Sequence, residues 1–269
     1  MSAPPTSPCV LITGASSGIG LELAKRFARD GYRLALVARR PEALAQAANA
    51  LGPPAGGAPT LIAKDLSRPG AAAELFAELR ARSIEAEILV NCAGFGISGL
   101  FAQTDASLER DMMQLNMIAL TELTKLALPH MLRKRAGRIL NVASTAAFQP
   151  GPRMAVYYAS KAYVLSFSEA LANELAGSGV TVTTLCPGPT YSSFGKRAGI
   201  EGANVFRWGV MSPAAVAAAG YEGLMQGRRL VIPGLRNRLL ALSVRISPRR
   251  LVIAITRWMN EERAQRVAR

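Results

Sequence analysis

The chain has 269 residues, which suits one large α/β domain and leaves little room for two domains of typical size. Half of its residues are hydrophobic and 19% are charged, a composition that excludes a disordered protein. The net charge of +14 is concentrated at one end, because residues 226–269 contain 11 arginines and two glutamates. An anionic partner is therefore a hypothesis for this tail only.

Targeting segments and metal sites are not expected. Residues 1–8 are polar and rich in proline, so we expect no secretory signal. Charges, glycines or prolines interrupt every apolar stretch before it reaches the roughly 18 residues of a membrane span, so a cytoplasmic protein is expected. Cys9, Cys92 and Cys186 form no CxxC pair, and His130 is the only histidine, so the sequence predicts no metal site and no two-histidine catalysis.

Short apolar runs alternate with segments of helical periodicity along the first 190 residues. The runs predict strands over 9–12, 33–37, 60–63, 88–91, 138–142 and 181–185. The periodic segments predict helices over 18–29, 41–51, 69–81, 108–128 and 157–175. Parallel strands need crossover connections that cover both faces of a sheet, so this alternation predicts a single-domain α/β protein with a doubly wound parallel sheet, a Rossmann fold.

A glycine-rich turn, Thr13-Gly14-Ala15-Ser16-Ser17-Gly18-Ile19-Gly20, joins the first predicted strand to the first predicted helix. The first glycine allows the tight turn, the second lets the backbone approach a diphosphate, and the third lets the helix pack on the sheet. N–H groups at the helix start then face the anion. The alternative is a turn that only packs the helix against the sheet and binds no nucleotide. The position favours a nucleotide site, with contacts from Gly14, Ser16, Ser17, Gly18, Ile19 and Gly20.

The end of the second predicted strand reads Val37-Ala38-Arg39-Arg40 and carries no acidic residue. A carboxylate there would hold the ribose 2′-hydroxyl of NAD and would repel the 2′-phosphate of NADP. Arg39 can pair with that phosphate, helped by the hydroxyls of Ser16 and Ser17. The sequence therefore favours NADP(H), and a merely solvated Arg39 is the alternative.

Tyr157 and Lys161 lie four residues apart on a predicted helix, hence on one face. A phenol with its usual pKa of about 10 is a poor base at neutral pH, but a neighbouring ammonium stabilises the phenolate. Tyr157 can then donate or accept a proton. Such a pair is common and is weak evidence of catalysis by itself. Ser144 strengthens the evidence, because a serine at the carboxyl edge of the sheet can hold the substrate oxygen. Tyr158 has the wrong spacing to Lys161.

Over roughly residues 9–190 the motifs resemble those of the short-chain dehydrogenase/reductase family. The resemblance rests on the order and spacing of residues 13–20, Asp65, Asn91-Cys92-Ala93-Gly94, Asn116, Ser144, Tyr157, Lys161 and Pro187-Gly188. It implies an oxidoreductase that moves a hydride between nicotinamide and a carbonyl or alcohol carbon, with Tyr157 as general acid and base. A nucleotide-binding protein without turnover is disfavoured because the complete set of catalytic side chains is present. Cys92 departs from the family, which more often has asparagine there, and we expect little consequence.

The resemblance also implies individual roles. Asp65 would contact the adenine ring, Asn91 would brace the central strand, and Asn116 would hold a water of the proton relay. Lys161 would bind the nicotinamide ribose and Thr190 the carboxamide. The implied catalytic set is Asn116, Ser144, Tyr157 and Lys161. The implied cofactor set consists of the glycine-turn residues named above, Arg39, and ten further residues. These are Asp65, Leu66, Asn91, Ala93, Gly94, Tyr157, Lys161, Pro187, Gly188 and Thr190.

Within the family, residues 37–40, 94–96 and 187–190 resemble the branch of carbonyl, steroid and acyl-chain ketoreductases. This implies a small-molecule substrate, a ketone or secondary alcohol on an apolar body. Residues 191–211, which carry several glycines and aromatics, are expected to form a mobile lid. Aromatic residues are candidates either for the pocket wall or for ordinary core packing: Phe95, Phe101, Phe148, Tyr191, Phe194, Phe206 and Trp208.

Assembly and the basic tail complete the expectations. Family members commonly pair through the helices predicted over 108–128 and 157–175, so a homodimer or homotetramer is expected. We assign residues 1–234 to the catalytic domain and 235–269 to a basic amphipathic extension, which Pro248 divides into two short helices. The extension either contacts an anionic membrane surface peripherally or packs against the pocket or another subunit. Nucleic acid binding is not expected, since no aromatic stacking platform is evident.

Overall fold

A seven-stranded parallel sheet forms the centre of the computed structural model, which describes residues 7–53, 55–191, 193–200, 202–207 and 209–261. Its strand order is β3-β2-β1-β4-β5-β6-β7, the doubly wound order of a Rossmann fold. The predicted fold class is thereby confirmed. The strands are β1 (Cys9–Thr13), β2 (Arg33–Ala38), β3 (Thr60–Ala63), β4 (Ala86–Asn91), β5 (Gly137–Val142), β6 (Val180–Leu185) and β7 (Leu230–Val231).

Helices cover both faces of the sheet and extend past its carboxyl edge. Within the described residues the α-helices are α1 (Gly18–Arg29), α2 (Pro41–Asn49), α3 (Ala71–Ala81), α4 (Ala106–Met113), α5 (Leu120–Lys134), α6 (Ala155–Glu174), α7 (Ser193–Ala198), α8 (Pro213–Met225), α9 (Leu235–Ile246) and α10 (Arg249–Asn260). Short 3₁₀ segments lie at Thr145–Phe148 and Asn204–Arg207, and a π-helical segment at Gln114–Ala119 joins α4 to α5. The two helices predicted in the tail are α9 and α10, separated at Pro248.

The core lies on both sides of the sheet because the strands are apolar on both faces. All five residues of β1 are buried. Val10 and Ile12 pack with α1, α2 and α8 on one side, whereas Leu11 packs with α3, α5 and α6 on the other. Strands buried in this way carry no alternation of polar and apolar residues, which is why they read as short continuous apolar runs.

The helix predicted over 108–128 is longer and less regular than its sequence pattern indicates. It begins at Ala106 because the Asp105 side chain accepts hydrogen bonds from the N–H groups of Ser107 and Leu108. It changes to π geometry at Gln114–Ala119, then continues as α5 through Pro129 to Lys134. Periodicity alone predicts neither the change of helix type nor a helix that tolerates an internal proline.

The sequence patterns predict neither helix α8 nor strand β7, and for the region of α7 they predict only a lid. Helix α8 is rich in alanine and glycine and packs against α1 and the sheet, so it lacks the polar face on which a helical pattern depends. Its local signals are Pro213 in the first turn and Ser212, whose hydroxyl caps the helix by accepting from the Ala215 N–H. Strand β7 has only two residues, too few for a recognisable alternation.

Candidate active site

A cavity of about 410 Å³ runs along the carboxyl ends of the strands, where the strand order reverses between β1 and β4. This reversal is the usual ligand position in an open α/β sheet. Asn91 and Asn116 do not line the cavity. The other predicted site residues do, namely Gly14, Ser16, Ser17, Gly18, Ile19, Gly20, Arg39, Asp65, Leu66, Ala93, Gly94, Ser144, Tyr157, Lys161, Pro187, Gly188 and Thr190.

The glycine turn between β1 and α1 brings its backbone close to the cavity. Gly14 and Gly18 have φ angles of 67° and 57°, in the left-handed region that favours glycine. A Cβ on Gly14 would lie 2.9 Å from the Cα of Ala93, and a Cβ on Gly20 would collide with the carbonyl oxygen of Gly14. The Ser17 side chain makes no capping bond to α1. The start of α1 therefore offers its first N–H groups to an anion.

Arginines gather at the end of the cavity that follows β2. Arg39 and Arg197 both line it. The pKa of Arg197 is lowered, first by burial and then by the positive charges of Arg39 and Arg40. These guanidinium groups therefore lie close enough to repel one another, and a bound anion would relieve that repulsion. Sequence reasoning missed Arg197, because no local pattern connects α7 with β2.

Tyr157 and Lys161 face the cavity from α6, and both side chains are buried. Burial raises the pKa of Tyr157 above its usual value, and a hydrogen bond with Ser144 partly offsets this. Burial lowers the pKa of Lys161 to about 8. The Lys161 ammonium donates to the carbonyl oxygen of Val142 at 3.0 Å and lies 5.8 Å from the centre of the Tyr157 ring. A phenol and an ammonium are thus buried side by side in one cavity.

Ser144 follows β5 and begins the 3₁₀ segment at Thr145–Phe148. Its Oγ accepts a hydrogen bond from the Ala146 N–H at 3.1 Å and donates a longer one to the Pro187 carbonyl at 3.4 Å. The thiols near Lys161 are neutral, because burial raises the pKa of Cys92 to about 11 and of Cys186 to about 12. Ser144 and Tyr157 thus present hydroxyl groups to the cavity beside Lys161.

Asn116 lies in the π-helical segment and holds the loop after β4. Its side-chain amide donates to the Phe95 carbonyl at 2.9 Å and to the Ser160 hydroxyl at 3.1 Å, and its carbonyl oxygen accepts from the Phe95 N–H at 3.2 Å. Gly94 makes room for it, since a Cβ there would lie 3.0 Å from the Asn116 oxygen. π-Helical turns often occur at functional sites. Here the turn presents Asn116 to the backbone beside the cavity.

Asn91 ends β4 underneath the cavity floor. Its amide donates to Thr124 at 3.1 Å and to Asn141 at 2.9 Å, and the Asn141 amide donates to Ser168 at 2.9 Å. All four side chains are buried. The network ties β4 and β5 to α5 and α6, so that the strand end carrying Ala93 and Gly94 is held in place.

The far end of the cavity is apolar. Of the aromatic candidates, Phe95 and Phe194 line it, and Phe194 packs 5.3 Å from the Tyr157 ring. Phe101, Phe148 and Tyr191 do not line it; the Phe206 side chain and Trp208 lie outside the described residues. The wall also includes apolar residues that sequence reasoning did not assign, namely Met154, Ile200, Val205, Leu240, Val244, Val252, Ile255 and Met259.

The tail helices are part of this wall. Asn260, in the last turn of α10, accepts from the Tyr158 hydroxyl at 2.9 Å and donates to the Pro152 carbonyl at 2.9 Å. Asn237 of α9 packs where a Cβ on Gly188 would stand. Tyr158, which does not face Lys161 on the helix, is thus an anchor for α10. The contacts join residues about 100 positions apart, so no sequence pattern reveals them.

The predicted lid is held at both of its ends. Tyr191 N–H donates to the Met211 carbonyl at 3.0 Å, and Met211 N–H donates to the Pro189 carbonyl at 2.9 Å. Between these points, α7 brings Phe194 and Arg197 to the cavity. The segment therefore covers the cavity from two pinned ends, and its movement stays a prediction.

Comparisons with known proteins agree with this architecture. The family model described as short chain dehydrogenase matches residues 8–200. A ketoacyl reductase of Nostoc sp. is 34% identical over 183 residues, which are 68% of this chain and 63% of that protein. The chain spans less than two thirds of the length of this relative.

Solved structures match over more of the chain. A short-chain dehydrogenase from Sphingobium yanoikuyae in complex with NADPH is 37% identical, with a TM-score of 0.79 over 88% of this chain and 92% of that one. The bulky-bulky ketone specific alcohol dehydrogenase from Comamonas testosteroni is 29% identical, with a TM-score of 0.75 over 98% of this chain and 100% of that one. With its doubly wound sheet, its glycine turn and its matched family model, the chain belongs to the short-chain dehydrogenase/reductase family.

Proposed function

We propose that the protein is an NADP-dependent oxidoreductase that reduces a ketone on an apolar substrate, or oxidises the corresponding secondary alcohol. The observation that carries this proposal is the Tyr157 phenol, buried beside Ser144 and Lys161 in a cavity continuous with the glycine turn and Arg39. A general acid, an anion-binding turn and an apolar wall thus meet in one space.

The residues present fit a dinucleotide with a 2′-phosphate. Gly14 and Gly20 leave the turn free of Cβ atoms, as a close diphosphate requires. Arg39, Arg40 and Arg197 supply positive charge at the end of β2, where an NAD site has a carboxylate. Asp65 is fixed by accepting from the N–H and hydroxyl of Ser67 at 3.0 and 2.7 Å, and would lie beside the adenine. The NADPH complex of the Sphingobium yanoikuyae relative supports the same choice.

The bound cofactor would supply the hydride that adds to the carbonyl carbon. Ser144 would donate a hydrogen bond to the carbonyl oxygen and orient it. Tyr157 would donate its proton to that oxygen as the negative charge develops. Lys161, protonated below pH 8, would stabilise the phenolate left on Tyr157. Asn116 would keep the Gly94–Phe95 backbone in position through its hydrogen bonds to Phe95.

The cavity wall favours a substrate with an apolar body. Phe95, Phe194 and the aliphatic residues of α9 and α10 offer a carbonyl compound apolar contacts beyond Tyr157. The relatives named as a ketoacyl reductase and as a ketone-specific alcohol dehydrogenase support a ketone as the reacting group. A homodimer or homotetramer formed through α4, α5 and α6 remains part of the proposal, as does a peripheral membrane contact of residues 235–269.

NADPH-consumption screening tests this function directly. The purified protein is offered ketosteroids, acyl ketones, aromatic aldehydes and small diketones, with NADPH or NADH as reductant. We expect NADPH-dependent reduction of at least one ketone with an apolar body. Tight binding of NADPH without reduction of any compound in the panel would instead favour a nucleotide-binding protein without turnover.

A further inference from the structure

Helix α9 turns an apolar stripe toward solvent. Ala241 is its only buried residue. Four of the exposed apolar residues of α9 form this stripe. Successive members are four, three and four positions apart, so they share a strip about 60° wide on the helix surface. They are Leu235, Leu239, Leu242 and Ile246. The stripe lies opposite Asn237 and Val244, which line the cavity. An amphipathic helix normally faces its apolar side inward, so this helix carries a second apolar side that the described part of the chain leaves exposed.

Helix α10 carries a matching stripe. Leu251, Ile255 and Trp258 are exposed, while Val252 and Asn260 are buried on the side that packs against the body of the protein. Tryptophan is enriched where one end of a side chain is in an apolar medium and the other is wet. We call the exposed apolar residues of the two stripes together the tail surface; they are Leu235, Leu239, Leu242, Ile246, Leu251, Ile255 and Trp258.

Arginine is the only charged residue type in the two helices that carry the tail surface. Residues 235–260 contain six arginines and no aspartate or glutamate. The nearest acid in the sequence, Glu261, pairs with Arg257 at 3.2 Å. A second copy of this chain would bring the same charges to the surface and would be repelled. An anionic lipid surface attracts them, and arginine stems can lie along the apolar layer while their charged ends reach lipid headgroups.

Half-exposed apolar side chains of both tail helices line the cavity. Leu240 and Ile255 line it, and each is 49% exposed. One lies on α9 and the other, which also belongs to the tail surface, lies on α10. We therefore place the mouth of the cavity between these two helices, where Val244, Val252 and Met259 offer an entering substrate further apolar contacts.

We propose that α9 and α10 lie on an anionic membrane surface and that the cavity takes its ketone from the bilayer through the mouth between them. The substrate would be an apolar carbonyl compound that partitions into lipid. The described residues include no helix long and apolar enough to cross a membrane, so the contact is peripheral. Docking stands on the tail surface alone, whereas delivery of a ketone rests on the proposed function.

Vesicle sedimentation of the full chain tests the docking. The vesicles are made of phosphatidylcholine alone or of equal parts phosphatidylcholine and phosphatidylglycerol. We expect pelleting with the anionic vesicles only. The double variant Leu242→Asp/Ile246→Asp should lose at least about tenfold in affinity, because both side chains belong to the stripe and neither lines the cavity. Phe101→Asp, an exposed apolar position outside the surface, should bind like the wild type.

The charge contribution is tested separately. Arg245→Gln/Arg249→Gln should weaken binding to anionic vesicles by about fivefold for each arginine removed. The matched control Arg29→Gln/Arg82→Gln removes the same charge elsewhere on the surface and should have a much smaller effect. Equal losses in the two double variants would mean that net charge alone drives binding and would overturn the proposal.

Delivery is tested by comparing two substrates of the proposed reaction. The Leu242→Asp/Ile246→Asp variant should reduce a water-soluble ketone as fast as the wild type, and a long-chain ketone embedded in anionic vesicles about tenfold more slowly. Equal rates of the wild type and the variant on the embedded ketone would contradict delivery from the bilayer. Vesicle binding without turnover of either ketone would contradict the proposed function and leave docking supported. No pelleting of the wild type, with a changed oligomeric state in the variant, would identify the surface as a subunit contact and overturn the proposal.

Discussion

Tyr157 and Lys161 show how burial prepares a pair of side chains for proton transfer. Burial favours the neutral form of each, so the pKa of Tyr157 rises and the pKa of Lys161 falls to about 8. Below that pH, Lys161 is a buried cation whose charge becomes useful only when a negative charge develops nearby. In the proposed reaction, this unfavourable charge of the resting protein would stabilise the phenolate left on Tyr157.

Replacement of Lys161 by methionine should therefore stabilise the protein while abolishing its activity. At pH 7 the free energy of unfolding should rise by about 2 kcal/mol, less than the roughly 3 kcal/mol of the pKa shift because the hydrogen bond to Val142 is lost. The folded wild type releases its proton at about pH 8 and the unfolded chain at its usual 10.5. Wild-type stability consequently rises with pH over this interval, and the advantage of the variant should shrink.

Urea unfolding of the two proteins at pH 7 and at pH 9.5 checks this expectation. A difference in stability that is unchanged between these pH values would show that Lys161 carries no unfavourable charge in the folded state.

The rate of ketone reduction should depend on the protonation state of Lys161. Below about pH 8, protonated Lys161 stabilises the Tyr157 phenolate, so kcat/KM for reduction should be flat. Above pH 8 the ammonium is lost and kcat/KM should fall. The measurement is kcat/KM with NADPH across pH 6 to 10, and a profile that rises through pH 8 to 9 would contradict the role given to Lys161.

Tyr157→Phe removes the proton donor and little else. The phenylalanine ring fills the same space, and the Phe194 contact persists. We expect turnover to fall by about 10²- to 10⁴-fold. NADPH binding, measured by nicotinamide fluorescence, should change little. Wild-type turnover in this variant would remove the phenol from the mechanism.

Arg39→Asp should reverse the choice of cofactor. The aspartate would repel a 2′-phosphate and accept a hydrogen bond from a 2′-hydroxyl, so the ratio of kcat/KM for NADPH to that for NADH should fall by at least about tenfold. Arg29→Asp is the matched control, because Arg29 is exposed in the last turn of α1 and does not line the cavity. An unchanged ratio in the Arg39 variant would overturn the assignment of the arginine cluster to a phosphate.

At the scale of elements, α10 is attached to the body through few but buried contacts. Asn260 joins it to Tyr158 and Pro152, and the Asn204 amide donates to the Trp258 carbonyl at 2.9 Å. Hydrogen bonds of these buried side chains therefore help to hold the cavity wall in position. Tyr158 links this wall to the helix that carries Tyr157.

A double-mutant cycle measures that link. Asn260→Ala should lower the free energy of unfolding by about 2 to 3 kcal/mol, and Tyr158→Phe by about 1 to 2 kcal/mol, because each leaves a buried partner unsatisfied. The double variant should cost at least about 0.5 kcal/mol less than the two single losses together. Urea unfolding gives all four values, and strict additivity would show that the hydrogen bond at 2.9 Å contributes nothing.

How far each element could be predicted depends on how local its cause is. The strands and most helices could be predicted, because apolar runs and periodicity are properties of neighbouring residues. Helix α8 could not, since its burial removes the polar face. The π-helical segment that carries Asn116 has no composition of its own. The glycine turn and the Tyr157–Lys161 spacing are local patterns, and the structure brings them to one cavity.

At the scale of the whole molecule, the sheet order gathers residues from positions 14 to 260 around one space. Sequence patterns predict the half of that space that faces the cofactor. The half formed by α7, α9 and α10 depends on contacts between residues far apart in sequence. The sequence alone does not decide whether the tail meets a membrane, the pocket or another subunit. The structure places α9 and α10 against the pocket and leaves their other sides exposed.

The central claim is that this cavity moves a hydride from NADPH to a ketone. The most direct measurement follows deuterium from NADPH labelled at C4 of the nicotinamide, using the best ketone found by screening and mass spectrometry of the product alcohol. We predict one deuterium at the carbinol carbon with the wild type, and almost none in the same time with Tyr157→Phe. Product alcohol without deuterium from either face of labelled NADPH would contradict the account.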